Sequence, residues 1–221
     1  MKQTAIQAKL EEIIETLKKG ALVSAHDFLE VGNDEAVKRA LAQLSDEGKL
    51  KRVLRGLYQT RNYNAFLKKD IGISPKKVAE KLAEKFGWTI ALAEDTALNE
   101  LGLSTQVPAT YVFISNGPTK TYTLDNGLSI YFKHRANQEM ANLTMKEAMV
   151  IEAIRTISQQ HMNKQIRRKL SLTLTEQEIQ HLLEQGKLMQ QWIYEEIKLM
   201  RDEQDECRAN VSSSSSPFCG S

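Results

Sequence analysis

The sequence predicts an α+β protein: an N-terminal winged helix-turn-helix, then a small α/β domain and a C-terminal helical segment. Three observations carry this expectation. Residues 20–59 order a short helix, a glycine-containing turn, a second helix and a basic two-strand hairpin. Residues 110–133 hold three short strand patterns, and from Thr144 onward apolar residues recur at helical spacing.

The first helix is expected over about Thr4–Lys19, where Ile6, Leu10, Ile13, Ile14 and Leu17 share a stripe. Gly20 ends it, at a position that tolerates a left-handed backbone. Ser24 then caps a short helix with Asp27 three residues on, an approximate capping box, with Phe28 and Leu29 buried. Gly32 makes the turn. Asn33 caps the next helix, to about Asp46, which buries Val37, Ala40, Leu41 and Leu44 and turns Glu35, Lys38, Arg39, Ala42 and Asp46 outward. Gly48 stops it, and Leu50–Leu54 and Gly56–Gln59 follow as strands bent at Arg55-Gly56.

Residues 60–74 are polar and basic, and Pro75 opens a helix with Val78, Leu82 and Phe86 on its apolar face. Trp88–Leu92 is a strand, Asp95–Leu101 a short helix, and Thr110–Ser115, Thr119–Leu124 and Leu128–Lys133 are strands. The last two are joined by Asp125-Asn126-Gly127, which accepts positive φ. Val150, Ile151, Ile154 and Ile157 form a helical stripe. Thr175 and Glu178 box the start of another helix, whose apolar set runs through Ile197, with Gly186 kinking or dividing it. Trp88 and Trp192 are expected in cores, with Trp192 the better interface anchor. These elements give four segments: residues 1–62 a DNA-binding winged helix, 63–74 a linker, 75–202 an α/β plus helical domain, and 203–221 a disordered Ser-rich tail.

Charge distribution points to function. Residues 1–36 carry 4 basic and 7 acidic side chains, whereas 37–69 carry 9 basic and 2 acidic. A local excess of +7 attracts polyanions although the whole chain has a formal charge of +2. A recognition helix needs polar or cationic residues on its exposed face; Lys38 and Arg39 meet that need, joined at the edges by Asn33 and Gln43. Wing cations grip phosphate, and Lys51, Arg52 and Arg55 are in place, with Lys49 in reach of the backbone. Asp34 and Glu35 suit the helix dipole but repel phosphate, so that end of the helix is expected to lift, unless Glu35 accepts from a cytosine amino group. The plainer alternative makes Lys38 and Arg39 a solvated face of a protein-docking module. Lys164, Arg167, Arg168 and Lys169 form a second basic cluster, expected in a solvated loop between helices, with contact to nucleic acid or an acidic partner as the alternative.

No enzyme is expected. His26, His134, His161 and His181 lack metal-ligand spacing, no GxxxxGK[ST] loop exists, and Ser24, His26, Glu94 and Asp95 are explained by helix capping. No cofactor is implied. Cys207 and Cys219 build no disulfide framework, and no signal peptide or membrane-length apolar run is present, so a cytoplasmic protein is expected.

Over about residues 5–200 the chain resembles the AbiEi-like antitoxins of type IV toxin–antitoxin (abortive infection) systems, often described as transcriptional regulators. The resemblance is carried by DFLEVGNDEAVKRAL, LKRVLRGLY, ISPKKVAEKLAEKFGWTI and LNELGLSTQVPATYVFISNGPTKT, above all by Gly102, Ser104, Thr105, Gln106 and Pro108. It implies a bacterial antitoxin that represses its own operon by binding double-stranded DNA repeats in the promoter. It further implies a second domain that counteracts a co-encoded nucleotidyltransferase-like toxin, without requiring a stable complex. Lys38, Arg39, Lys51, Arg52 and Arg55 carry over as DNA contacts, and no catalytic residue carries over. The alternatives are a winged-helix interaction module, a plain regulator without a toxin, and a nucleic-acid enzyme using the middle α/β unit.

Overall fold

A computed structural model describes residues 5–66, 68–136, 140, 142–186 and 189–213, with side chains to Glu206. The chain is mixed α+β. It divides into two compact units, Met1–Trp88 with Thr121–Ile130, and Thr89–Lys120 with Tyr131–Ser221.

In the first unit, helix α1 (Ala5–Thr16) is followed by strand β1 (Leu22–Ser24), a 3-10 turn (Ala25–Phe28), helix α2 (Asp34–Asp46) and strands β2 (Leu50–Leu54) and β3 (Leu57–Thr60). The sheet runs β1-β3-β2, all antiparallel, with Val23 opposite Tyr58 and Lys51 opposite Gln59. Helix, strand, a 3-10 turn, a second helix and the β2–β3 hairpin in that sheet order is winged-helix topology. Strand β1, only three residues long, is the one element of it the sequence did not announce.

Local chemistry explains the elements. Asn33 accepts from the Ala36 amide at 2.8 Å and so satisfies one of the orphan donors at the start of α2, a cap worth about 1 kcal/mol. The Asp27 carboxylate accepts from the Ser24 amide at 2.7 Å and fixes the entry of the 3-10 turn. Leu10, Phe28, Val37, Leu41, Leu44 and Leu50 close the core beneath, each fully buried large side chain contributing roughly 1.5–3 kcal/mol. Leu29, expected inside, is 54% exposed, because the 3-10 turn directs only Ala25 and Phe28 inward. Gly32 has no positive φ; a Cβ there would meet Ile6 Cδ1 at 2.9 Å, so what this glycine supplies is room for Ile6. Gly56, at φ +74, does supply the left-handed turn of the wing.

The stretch expected to be linker carries a short antiparallel pair, β4 (Tyr63–Asn64) and β5 (Lys69–Asp70). Helix α3 (Pro75–Phe86), expected to open the second domain, belongs to the first compact unit, tied to the 3-10 turn by Lys81–Asp27 at 2.5 Å. The first boundary therefore falls near Trp88 and not near residue 62. Trp88 is half-buried and stacks on Phe86 at 4.7 Å.

Beyond Trp88 come β6 (Ile90–Leu92), α4 (Glu94–Glu100), β7 (Thr110–Ser115), β8 (Lys120–Thr123) and β9 (Ser129–His134). Their sheet runs β6-β7-β9-β8, with Phe113 against Phe132 at 5.7 Å. Helices α5 (Met145–Ile157), α6 (Lys164–Thr173), α7 (Glu176–Glu184) and α8 (Gln191–Ser213) follow. Gly186 divides the last long pattern, as expected. The second basic cluster is not a loop: it is α6, capped by Asn163. Lys164 pairs with Glu203 and Glu206 and Arg167 with Glu196, all on α8. The tail expected to be disordered from 203 is helical to Ser213. Buried Gln204 fixes it by donating to the carbonyls of Ser171 and Leu174 at 3.0 and 2.9 Å. Residues 214–221, including Cys219, lie outside the described residues. Among the described residues no helix is long and apolar enough to cross a membrane.

Candidate nucleic-acid interface

A concavity of about 590 Å³ opens between α2 and the wing. Its floor is apolar, from Leu41, Ala42, Leu29 and Tyr58, and its rim carries Lys38, Arg52, Arg55, Lys85 and His26, with Asp34 the acid among them. The arrangement follows from two periods. Positions 34, 38, 41 and 42 of α2 share a face at helical spacing, while Arg52 and Arg55 are brought opposite by the β2–β3 hairpin and its Gly56 turn.

The cations expected to act together do not all do so. Lys38, Arg52 and Arg55 converge on the groove, and Arg52 and Arg55 are exposed. Arg39 lies on the exposed outer face of α2, 73% accessible, one step round the helix from Lys38. Gln43, one turn beyond it, is half-buried, and Asn33 is exposed but spends its side-chain oxygen on the cap.

Two expected contacts belong elsewhere. Lys49 pairs with Glu11 and Glu47, and the Glu11 hydrogen bond raises its pKa above the ordinary lysine value. It lines a separate hollow with Ile14 and Leu44, so its charge is answered within the protein. Lys51 precedes Arg52 on β2 and so projects to the other face of the strand, beside Gln59, Arg61 and Asp70.

Sequence reasoning missed His26 and Lys85. Lys85 reaches the rim only because α3 belongs to the first unit, and His26 because a 3-10 turn presents it there. Neither arrangement leaves a periodic signal near α2.

The acids at the start of α2 are paired. Lys38 binds Asp34, and Arg39 donates to Glu35 at 2.8 Å, each pair spanning one helical turn. The Arg39 hydrogen bond, then its charge, holds the Glu35 carboxyl below its ordinary 4.5. Both acids are paired with the cations next to them on α2, while Arg52, Arg55 and Lys85 carry the groove's positive field. What the arrangement offers a ligand is an exposed helix face beside a cationic hairpin, which suits a polyanion.

A family model described as a family of unknown function (DUF6088) matches residues 9–183. No curated protein sequence matches the chain. Among solved structures, the chain is similar to the crystal structure of the RV2827C protein from Mycobacterium tuberculosis, at 12% identity and a TM-score of 0.47. That match covers 91% of this chain and 78% of the other.

Proposed function

We propose that this chain, which belongs to the DUF6088 family of unknown function, is a DNA-binding transcriptional repressor of its own operon and the antitoxin of a type IV toxin–antitoxin pair. The observation that carries the DNA-binding part is the convergence of Lys38 on α2 with Arg52 and Arg55 on the wing around one open groove. A duplex seated there receives α2 in its major groove, with wing cations on the flanking phosphates. Arg39 and Gln43 read base edges from the outer face of α2. The antitoxin part rests on the resemblance of residues 5–200 to AbiEi-like proteins, and makes a co-encoded nucleotidyltransferase-like toxin the functional partner.

Binding of the full chain to duplexes tiling its own upstream region tests the first part. One fragment should bind at least about 10³-fold more tightly than unrelated DNA. The triple variant Lys38→Ala, Arg39→Ala, Arg55→Ala should lose that preference. Unchanged binding by the triple variant, or equal binding to every fragment, refutes it. Rescue of growth on co-expression with the neighbouring gene product tests the second part.

A further inference from the structure

The β4–β5 hairpin carries a feature that the recognition groove does not use. Phe66, at its tip, is 94% exposed, the most exposed large apolar side chain among the described residues, and Tyr63 on β4 is 56% exposed. Lys68 and Lys69 are exposed on the return. Beside the tip the Phe66 amide donates to Asn64 Oδ1 at 2.9 Å, and Lys68 adopts φ +48. The Ile71 amide donates to the Asn62 carbonyl at 2.8 Å and closes the base of the hairpin, and Arg61 Nε donates to the Gly48 carbonyl at 2.5 Å, just before β2. Lys51, turned away from the α2 groove, lines one hollow with Arg61, Asp70 and Ile71 at this base.

We propose that this hairpin is a second duplex contact, in which Phe66 wedges against a base step in the minor groove while Lys51, Lys68 and Lys69 hold the phosphates beside it. An exposed aromatic ring is the kind of apolar wedge that minor-groove proteins insert to unstack a step. Flanking ammonium groups supply the attraction that holds it there. The charge favours DNA over a protein partner, since Arg61, Lys68 and Lys69 outnumber Asp70 across residues 61–70. The arrangement also gives Lys51 a role on the face where it lies. This inference rests on the DNA-binding reading above and extends the footprint beyond α2 and the wing.

The test uses the full chain and its tightest upstream duplex, with hydroxyl-radical footprinting and 2-aminopurine fluorescence at the steps beside the α2 site. Phe66→Ala should weaken binding by about tenfold, erase protection on one flank and abolish the fluorescence rise, leaving protection by α2 intact. Phe66→Trp should keep all three. Because the ring is in solvent, the melting temperature of Phe66→Ala should match the parent, which separates a lost contact from a lost fold. Wild-type affinity and footprint in Phe66→Ala, with Arg55→Ala impaired, overturn the hairpin proposal alone. An intact footprint together with lost co-purification of the neighbouring gene product makes the hairpin a protein-docking element and overturns it too. Failure of the parent chain to bind any upstream duplex overturns the DNA-binding reading itself.

Discussion

Arg39 donates to Glu35 at 2.8 Å, one turn back along α2, with the two side chains 73% and 78% exposed. This pair sits on the face that the proposal turns toward base edges, so its opening is part of binding. The carboxylate both occupies the guanidinium and repels phosphate, which penalises every duplex that offers Arg39 no better partner. Glu35→Gln should therefore raise affinity for unrelated duplexes by about threefold and raise it less for the operator, lowering the specificity ratio. Anisotropy titrations on both duplexes measure this: operator affinity that falls outright would show Glu35 accepting from a base, and a ratio that rises would overturn the prediction. The depressed carboxyl also fixes a pH window. With its folded pKa lowered below 4.5, the pair stabilises α2 above that value and is lost as pH falls through the lowered one. Over roughly pH 6–8 duplex affinity should carry no contribution from Glu35 titration.

Salt dependence separates the groove cations from the rest. Each phosphate contact releases condensed counterions, so losing one flattens the slope of log affinity against log salt by about 0.9. Arg52→Ala, Arg55→Ala and Lys85→Ala should each show that change. Lys49→Ala should show none, because its ammonium is already held by Glu11 and Glu47. Equal slope changes for Lys49 and Arg55 would place the duplex outside the groove.

Much of the first unit was legible because its signals are local. The Asn33 cap, the apolar face of α2 and the Arg55-Gly56 turn each lie within one helix or one hairpin, and the structure keeps them nearly residue for residue. The groove was half legible. Lys38, Arg52 and Arg55 follow from periodicity, but Lys85 depends on where α3 packs, and Lys49 on a glutamate 38 residues earlier in the chain. Helix α6 was hidden for the same reason. Its charges suggested a solvated loop until Glu196, Glu203 and Glu206, about thirty to forty residues later, answered them. The β4–β5 pair, two residues per strand, is too short to show alternation at all.

Repression and toxin antagonism should separate by mutation. The Lys38→Ala, Arg52→Ala, Arg55→Ala variant removes exposed cations and no buried side chain, so the rest of the chain should fold unchanged. If the proposed function holds, it should lose repression in a promoter-reporter assay, while on co-expression it should still protect cells from the neighbouring gene product. Loss of protection at normal protein levels would tie antagonism to DNA binding, contrary to a division of labour between units.

In the second unit, Lys146 on α5 donates to Glu178 on α7 at 2.8 Å, and Glu178 also accepts from the Thr175 amide at 2.7 Å. Burial alone would raise the Glu178 carboxyl, but the Lys146 and Thr175 hydrogen bonds outweigh it and leave the pKa lowered. A depressed carboxylate stabilises the fold above its unfolded pKa, and that contribution disappears as pH falls through the folded value. Glu178→Gln should thus cost stability near neutrality, by roughly 0.5–1 kcal/mol for a partly screened pair, and almost nothing once the wild-type carboxyl is protonated. Urea midpoints at neutral and acid pH distinguish this from a pH-independent packing loss.

Gly186 sits where α7 and α8 part, and a Cβ on it would lie 2.5 Å from Tyr194 Cε2 and 2.6 Å from Cδ2. The Lys198 ammonium stands over the same ring at 4.6 Å from its centroid, a contact that a displaced ring would disturb. Gly186→Ala, which would favour a continuous helix on propensity alone, should instead destabilise the second unit by about 1–3 kcal/mol through overpacking. Trimming the ring supplies the control. If the clash is the cause, Gly186→Ala combined with Tyr194→Ala should cost less than the sum of the two single changes, a coupling that urea denaturation of the four proteins can read directly. Additive losses would mean that Gly186 divides the helix for a reason other than the approach of Tyr194.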